Sequence, residues 1–204
     1  VLVIFLIVPP RSLKMRRLLS LVVSLSLVIT VFGEEPAKVV AKKVEIGGQA
    51  PAFKIKDASG KEINLADLTS KGAVLVRLTC GCSGCDQELA YFQAIHDAYK
   101  ESGLTSLAIF KEPDAKVATY AKAKNISMLY AVDTKGDSWK IFDTKTMPTN
   151  FLIEKGGKII AIAPGCDPSG LVAKKLSEKV AKTVNTENID VKKQVEDNKK
   201  KVVK

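Results

Sequence analysis

The sequence predicts an α/β domain built on a mixed central sheet, with helices on both faces and an N-terminal β-hairpin extension. Three observations lead there. Ala73-Val74-Leu75-Val76 is an unbroken apolar run, the pattern of a strand covered on both sides. Glu88, Leu89, Phe92, Ile95 and Tyr99 then recur at helical spacing, and Leu104 to Phe110 returns to strand character, which makes a strand-helix-strand unit. The second half ends in two apolar segments joined by the hairpin turn Glu154-Lys155-Gly156-Gly157, and a helical stretch closes it.

In chain order, the extension is a hairpin of Phe53 to Lys56 and Glu62 to Asn64 about the turn Asp57-Ala58-Ser59-Gly60. The central strand and its helix follow, and Gly103 stops that helix. After the strand at Leu104 to Phe110 come an amphipathic helix over Asp114 to Ala123, a short strand at Leu129 to Val132 and a helical turn around Trp139. The hairpin strands run over Asn150 to Ile153 and Lys158 to Ile162, and the closing helix over Leu171 to Val180. This sets the domain at 44–183, with a linker over 34–43 carrying Pro36 and a lysine-rich tail over 184–204, read as a frayed helix or disorder.

The formal net charge is +10, but its distribution argues against nucleic acid. Arg11, Lys14, Arg16 and Arg17 account for four of these charges, and a second cluster is all lysine, at Lys192, Lys193, Lys199, Lys200, Lys201 and Lys204, with no aromatic platform for bases. The N-terminal arginines belong to an address. Residues 1–33 read as an extension and a secretory signal peptide whose translation starts at Met15, with a basic n-region at Arg16 and Arg17 and an apolar run from Leu18 to Phe32. That run is shorter than the roughly 20 residues a spanning helix needs. If it stays uncleaved, it tethers the domain to a membrane; either way the expected location is exported, periplasmic or extracytoplasmic, where disulfides persist.

There the cysteines carry the chemistry. Cys82-Ser83-Gly84-Cys85 stands where a strand ends and a helix begins, so the unpaired N–H groups and the positive end of the helix dipole favour a thiolate on Cys82. Cys82 is the expected nucleophile and Cys85, one turn inward, the resolving thiol. Half of a zinc site has the same spacing, so the context has to decide.

The context is a series of motifs: Gly48-Gln49-Ala50-Pro51-Ala52-Phe53, Gly60-Lys61, Leu65-Ala66-Asp67-Leu68, the apolar strand, Cys82 to Cys85 with Glu88, then Met147-Pro148-Thr149-Asn150-Phe151-Leu152-Ile153-Glu154 and Gly157-Lys158-Ile159. In this order they resemble the redoxin branch of the thioredoxin superfamily, the TlpA/ResA-type proteins, which are related to the AhpC/TSA peroxiredoxins. The resemblance implies a thioredoxin-like fold and an exported thiol-disulfide oxidoreductase. It implies a catalytic set of Cys82, Cys85 and Glu88, the last as a carboxylate that modulates the thiolate and accepts a proton, and a substrate-binding strand of Met147, Pro148 and Thr149 with Pro148 cis. It implies exported cysteine-containing proteins as partners, with a membrane or periplasmic electron donor behind them, and no cofactor beyond the redox-active disulfide.

The chain departs from that pattern at several positions. Gly81 stands where an aromatic usually precedes the first cysteine, and Arg77 where the strand is usually aromatic. Arg77 either favours the thiolate or, the preferred reading, reaches the sheet edge and is solvated. Cys80 and Cys166 are additional, and the resemblance places Cys166 beside the active site. Three readings of them stand: a relay or second disulfide, a metal site made of Cys80, Cys82, Cys85 and Cys166, or bystander thiols. His96 is read as a surface or packing residue and Trp139 as core. A thiol peroxidase is the alternative function, because Thr79 and Cys82 fit part of the peroxiredoxin motif, although Leu75 replaces its proline and no arginine follows Arg77. A thiolate metal carrier is the second alternative.

Overall fold

A computed structural model describes residues 43–202. The readings of the signal peptide, the start at Met15 and all but the last residue of the linker lie outside the described residues. Among the described residues, no helix is long and apolar enough to cross a membrane.

The extension is β1 (Lys54–Lys56) paired antiparallel with β2 (Glu62–Asn64), followed directly by α1 (Leu65–Lys71). The turn between the strands closes on Asp57, whose Oδ1 accepts the Ser59 and Lys61 amides, with Gly60 in the left-handed region. The sequence pattern gave no helix at Leu65–Lys71. Its signal is the cap: the Asn64 side chain accepts from the Ala66 amide, and such a short helix shows no extended apolar periodicity.

The remaining elements are β3 (Ala73–Thr79), α2 (Ser83–Tyr99), β4 (Leu104–Phe110), α3 (Asp114–Ala123), β5 (Leu129–Val132), α4 (Asp137–Ile141), β6 (Thr149–Ile153), β7 (Ile159–Pro164), α5 (Leu171–Thr183) and α6 (Val191–Val202). The five-stranded sheet runs β5-β4-β3-β6-β7, with β3, β4 and β5 parallel and β6 and β7 antiparallel to their neighbours. This is the expected mixed sheet, and β3 is its middle strand.

Because side chains alternate across a strand, β3 divides the core. Val74, Val76 and Leu78 pack with Phe53, Ile63, Trp139 and Phe142 beneath the hairpin, α1 and α4. Ala73 and Leu75 face the other way, against Phe92, Ile95 and Tyr99 of α2 and Leu176 and Val180 of α5. Trp139 is core, as its sequence context suggested.

The C-terminal tail corrects the expected boundary at 183. Past Thr183 the chain turns and forms α6, which is neither frayed nor detached. Val191 and Val195, one turn apart, are 0% and 6% exposed and join the α2–α5 core, while Lys193, Lys199, Lys200 and Lys201 face outward. Two apolar residues in a lysine-rich stretch suffice because a hydrogen-bonded knot pins the approach. The Tyr99 hydroxyl lies 2.7 Å from Ser177 Oγ and accepts the Ile189 amide at 2.9 Å, and Ser177 Oγ donates to the Ile189 carbonyl at 2.7 Å.

Replacing Tyr99 by Phe leaves the Ile189 amide without its acceptor and the buried Ser177 hydroxyl with one partner fewer, and is expected to lower stability by about 1–3 kcal/mol. Urea denaturation measures the loss, and amide exchange at Ile189 should accelerate in parallel. An unchanged midpoint would mean that the tail does not belong to the folded unit.

Candidate thiol centre

β3 ends at Thr79, and the chain reaches α2 through Cys80-Gly81-Cys82. Two contacts fix this loop to the end of β4: the Lys111 amide donates to the Thr79 carbonyl at 3.2 Å, and the Gly81 amide donates to Glu112 Oε1 at 2.6 Å. Cys82 is the N-cap of α2 with extended backbone angles, φ −73° and ψ 161°. The chain bends at Gly81 and Cys82, and Gly81 places no side chain between the two cysteines. Cys80 Sγ lies 2.8 Å from Cys82 Sγ and 3.2 Å from Cys85 Sγ, and the three sulfurs all lie within 4.8 Å of one another. Cys82 is exposed, Cys80 half-buried and Cys85 buried.

These positions give the sulfurs different acidities. The Cys80 thiol donates its hydrogen bond to Cys82, and this, with the amides of Cys85 and Gly84 at the helix start, holds the Cys82 thiol below the ordinary thiol range. The amides act through their field, since no side-chain hydrogen bond formally caps the helix. Burial, reinforced by that same donated hydrogen bond, pushes Cys80 well above the ordinary range. The arrangement favours a thiolate at Cys82 over one at Cys80, with Cys80 as its hydrogen-bond donor.

Behind the sulfurs lies a buried ion pair. Arg77, 1% exposed, cannot reach a sheet edge, because β3 is the middle strand and its odd-numbered side chains point under α2. This corrects the preferred sequence reading. Its Nη1 donates to Glu88 Oε2 at 2.8 Å and to Asn150 Oδ1 at 3.1 Å, its Nη2 to the Cys85 carbonyl at 3.4 Å, and its guanidinium carbon stands 5.4 Å from the Phe92 ring centroid. Glu88 is therefore no solvated helix residue: it is 3% exposed, and its Oε1 accepts the Asp167 amide at 3.2 Å.

The Met147–Pro148 peptide is cis, and Pro148 immediately precedes Thr149, which pairs with Leu78, so the proline flanks the end of β3 from which Cys80 emerges. The Pro148 carbonyl accepts the Gly165 amide at 2.8 Å. Met147 is half-buried, while Thr149 is fully buried and its hydroxyl bonds to the Thr146 carbonyl at 2.7 Å. Cys166 stands apart from the three sulfurs. Its Sγ donates to the Gly84 carbonyl at 2.9 Å, and partial desolvation together with the Glu88 carboxylate pushes its thiol up. Of the four thiols weighed as a metal site, Cys80, Cys82 and Cys85 cluster, and Cys166 lies on their flank. His96 is half-buried on α2, and burial lowers its pKa.

Sequence reasoning missed Glu112, Asn150 and the Asp167 amide. Glu112 lies 31 residues from Gly81 in the chain, and no local pattern links them. Asn150 did carry a signal, as a polar residue within the apolar run that becomes β6.

A central strand that delivers Cys-x-x-Cys to a helix N-terminus, beside a cis-proline strand, defines a thiol redox protein of thioredoxin fold. Comparison with known proteins agrees. The AhpC/TSA family matches residues 46–162. The thiol-disulfide oxidoreductase ResA of Bacillus thuringiensis subsp. konkukian is 35% identical over 120 residues, covering 58% of this chain and 69% of its own. A solved thiol:disulfide interchange protein from Bacteroides sp. superposes with a TM-score of 0.58 at 24% identity, over 70% of this chain and 91% of that one. The peroxidoxin BcpB of Mycobacterium tuberculosis superposes with a TM-score of 0.57 at 21% identity, over 70% and 97%; at these identities both structures speak for the fold alone. The chain belongs to the AhpC/TSA family, in its redoxin, TlpA/ResA-type branch.

Two expectations follow. Since the Cys82 pKa is lowered, its alkylation by iodoacetamide should persist to lower pH than that of an ordinary thiol and decline as pH falls through that lowered value. Cys80→Ala should move the midpoint upward, and a midpoint that does not move would remove Cys80 from the thiolate's support. Arg77→Met strands a buried carboxylate and should cost about 3–5 kcal/mol in urea denaturation, most of it recovered in Arg77→Met/Glu88→Leu.

Proposed function

We propose that this protein is an exported thiol-disulfide oxidoreductase that exchanges disulfides with cysteine-containing protein partners through Cys82 and Cys85. The observation that carries the reading is the pairing of an exposed thiolate-prone Cys82 with a buried Cys85 one helical turn away. In the reducing direction the Cys82 thiolate attacks a partner disulfide, a mixed disulfide forms and one partner thiolate departs. Cys85 then closes on Cys82 and frees the second partner thiolate. Two cysteines are oxidised and one partner disulfide is reduced, with no cofactor beyond the protein's own disulfide. A membrane or periplasmic donor restores the dithiol. Export rests on the signal-like sequence over 15–33, and an uncleaved signal would tether the domain to the membrane.

The remaining residues take supporting parts. The Met147 backbone, beside cis Pro148, hydrogen-bonds an extended segment of the partner, with Thr149 continuing that strand. Glu88 modulates the centre from behind: bound to Arg77, which reaches the Cys85 carbonyl, it sets the charge under the resolving cysteine.

Peroxide reduction draws on the shared fold, but the one arginine among the described residues, Arg77, is not free to polarise a peroxide. The Arg77 guanidinium is occupied by Glu88, Asn150 and the Cys85 carbonyl beneath α2. Binding of a soft metal ion draws on the three clustered sulfurs and on thiolate chemistry.

Stopped-flow assays of the purified full-length chain on a protein disulfide and on hydrogen peroxide, with metal analysis alongside, separate the three. Cys82→Ser should slow disulfide exchange at least 100-fold. Exchange that survives this change sinks the mechanism, rapid peroxide turnover that survives Cys85→Ser supports the peroxidase, and stoichiometric metal released by Cys80→Ser supports the carrier.

A further inference from the structure

We propose that Cys80 is a second resolving thiol, which closes on Cys82 in competition with Cys85, so that the centre passes through three interconverting disulfides rather than one. This inference rests on the oxidoreductase reading above and assigns a role to a cysteine outside the Cys-x-x-Cys pair.

The placement of the sulfurs carries it. Cys80 Sγ is in contact with both others, at 2.8 Å from Cys82 and 3.2 Å from Cys85. The contact with Cys82 follows from the loop: the chain bends at Gly81 and Cys82, and Gly81 places no side chain between the two sulfurs. Glu112 holds the Gly81 amide, so the approach of the two sulfurs is fixed from the end of β4. Cys82 is the exposed sulfur and takes the partner on its open side, whereas Cys80 and Cys85 both stand on its protein side.

The steps balance. The Cys82 thiolate attacks a partner disulfide R–S–S–R′, forming Cys82–S–S–R and releasing R′–S⁻. Cys80 gives its proton to that departing thiolate, and its sulfur attacks Cys82 Sγ. The Cys82–S–R bond breaks, R–S⁻ departs and takes a proton from solvent, and a Cys80–Cys82 disulfide remains. Cys85 next gives its proton to solvent and its sulfur attacks Cys80 Sγ; a Cys80–Cys85 bond replaces Cys80–Cys82, and Cys82 is again a free thiolate. Each full reduction moves two electrons from two cysteines to the partner disulfide, and a dithiol donor returns the centre to its reduced state. Because burial keeps Cys80 protonated, its attack is the slower branch near neutrality and gains as pH rises. The Cys80–Cys85 form has no counterpart in a two-cysteine centre, since it is oxidised yet presents a nucleophile.

The test compares the full-length chain with Cys80→Ser, Cys85→Ser and the double variant, using a short peptide closed by one disulfide as probe. Cys85→Ser should continue to turn over within about tenfold of the parent, whereas Cys80→Ser/Cys85→Ser should stop after one event with about one peptide covalently bound per chain by mass spectrometry. Stable trapping in Cys85→Ser alone overturns the proposal, as does turnover that persists in the double variant, which would shift the role to Cys166. The unsubstituted chain gives a reading independent of any folding defect. Acid-quenched during oxidation and alkylated, it should yield a fraction in which Cys80 is unalkylated while Cys82 or Cys85 is alkylated; Cys80 alkylated in every oxidised molecule overturns the proposal. Exchange absent from the unsubstituted chain would overturn the oxidoreductase reading together with this one, whereas exchange with trapping in Cys85→Ser defeats this one alone.

Discussion

The Arg77–Glu88 ion pair joins the two elements that the centre needs in register. β3 carries the chain to Cys80, α2 begins at Cys82, and the pair clamps the sheet to the helix only one turn beyond Cys85. Both groups are withdrawn from water, and an isolated charge there would be strongly unfavourable, so each holds the other in place. The clamp is extended by neutral partners: Asn150 on β6, the Cys85 carbonyl, and the Asp167 amide on the loop after β7. A single guanidinium–carboxylate contact thereby touches the central strand, the catalytic helix, the cis-proline strand and the Cys166 loop.

That contact also explains why the sulfurs differ. Cys85 is held where its carbonyl meets a cation, Cys82 sits at the open helix start, and Cys80 is drawn in by a loop whose amide is taken by Glu112. Three identical side chains within a few residues thus acquire separate characters from burial and from which neighbour donates to which. Cys166 receives a fourth setting, bonded to the Gly84 carbonyl.

Much of this was legible in the sequence where periodicity is strong. The strand at Leu104–Phe110 and the helices starting at Asp114 and Leu171 fall at the residues their patterns indicate, because each buries a continuous face. The placement of Cys82 and Cys85 at a strand-to-helix junction was likewise readable from the apolar run before them. The state of Arg77 was not read correctly, although its signal was present. A residue at an odd position of a doubly covered strand has to point into a layer, and Glu88 falls on the same stripe of α2 as Leu89, Phe92, Ile95 and Tyr99. In α6 many lysines mask the two apolar positions Val191 and Val195. Glu112 was beyond reach, since it meets Gly81 only through the parallel pairing of β3 and β4.

The graded burial of the three sulfurs has a consequence for chemical survival. Cys82 is the most exposed of the three, so damage by strong oxidants begins there, with a sulfenic acid as its first and still reversible stage. With Cys80 Sγ already 2.8 Å away, the sulfenic acid can be captured as a disulfide, with loss of water, before a second oxygen is added. The crowding that tunes the thiolate therefore also shelters it from irreversible overoxidation.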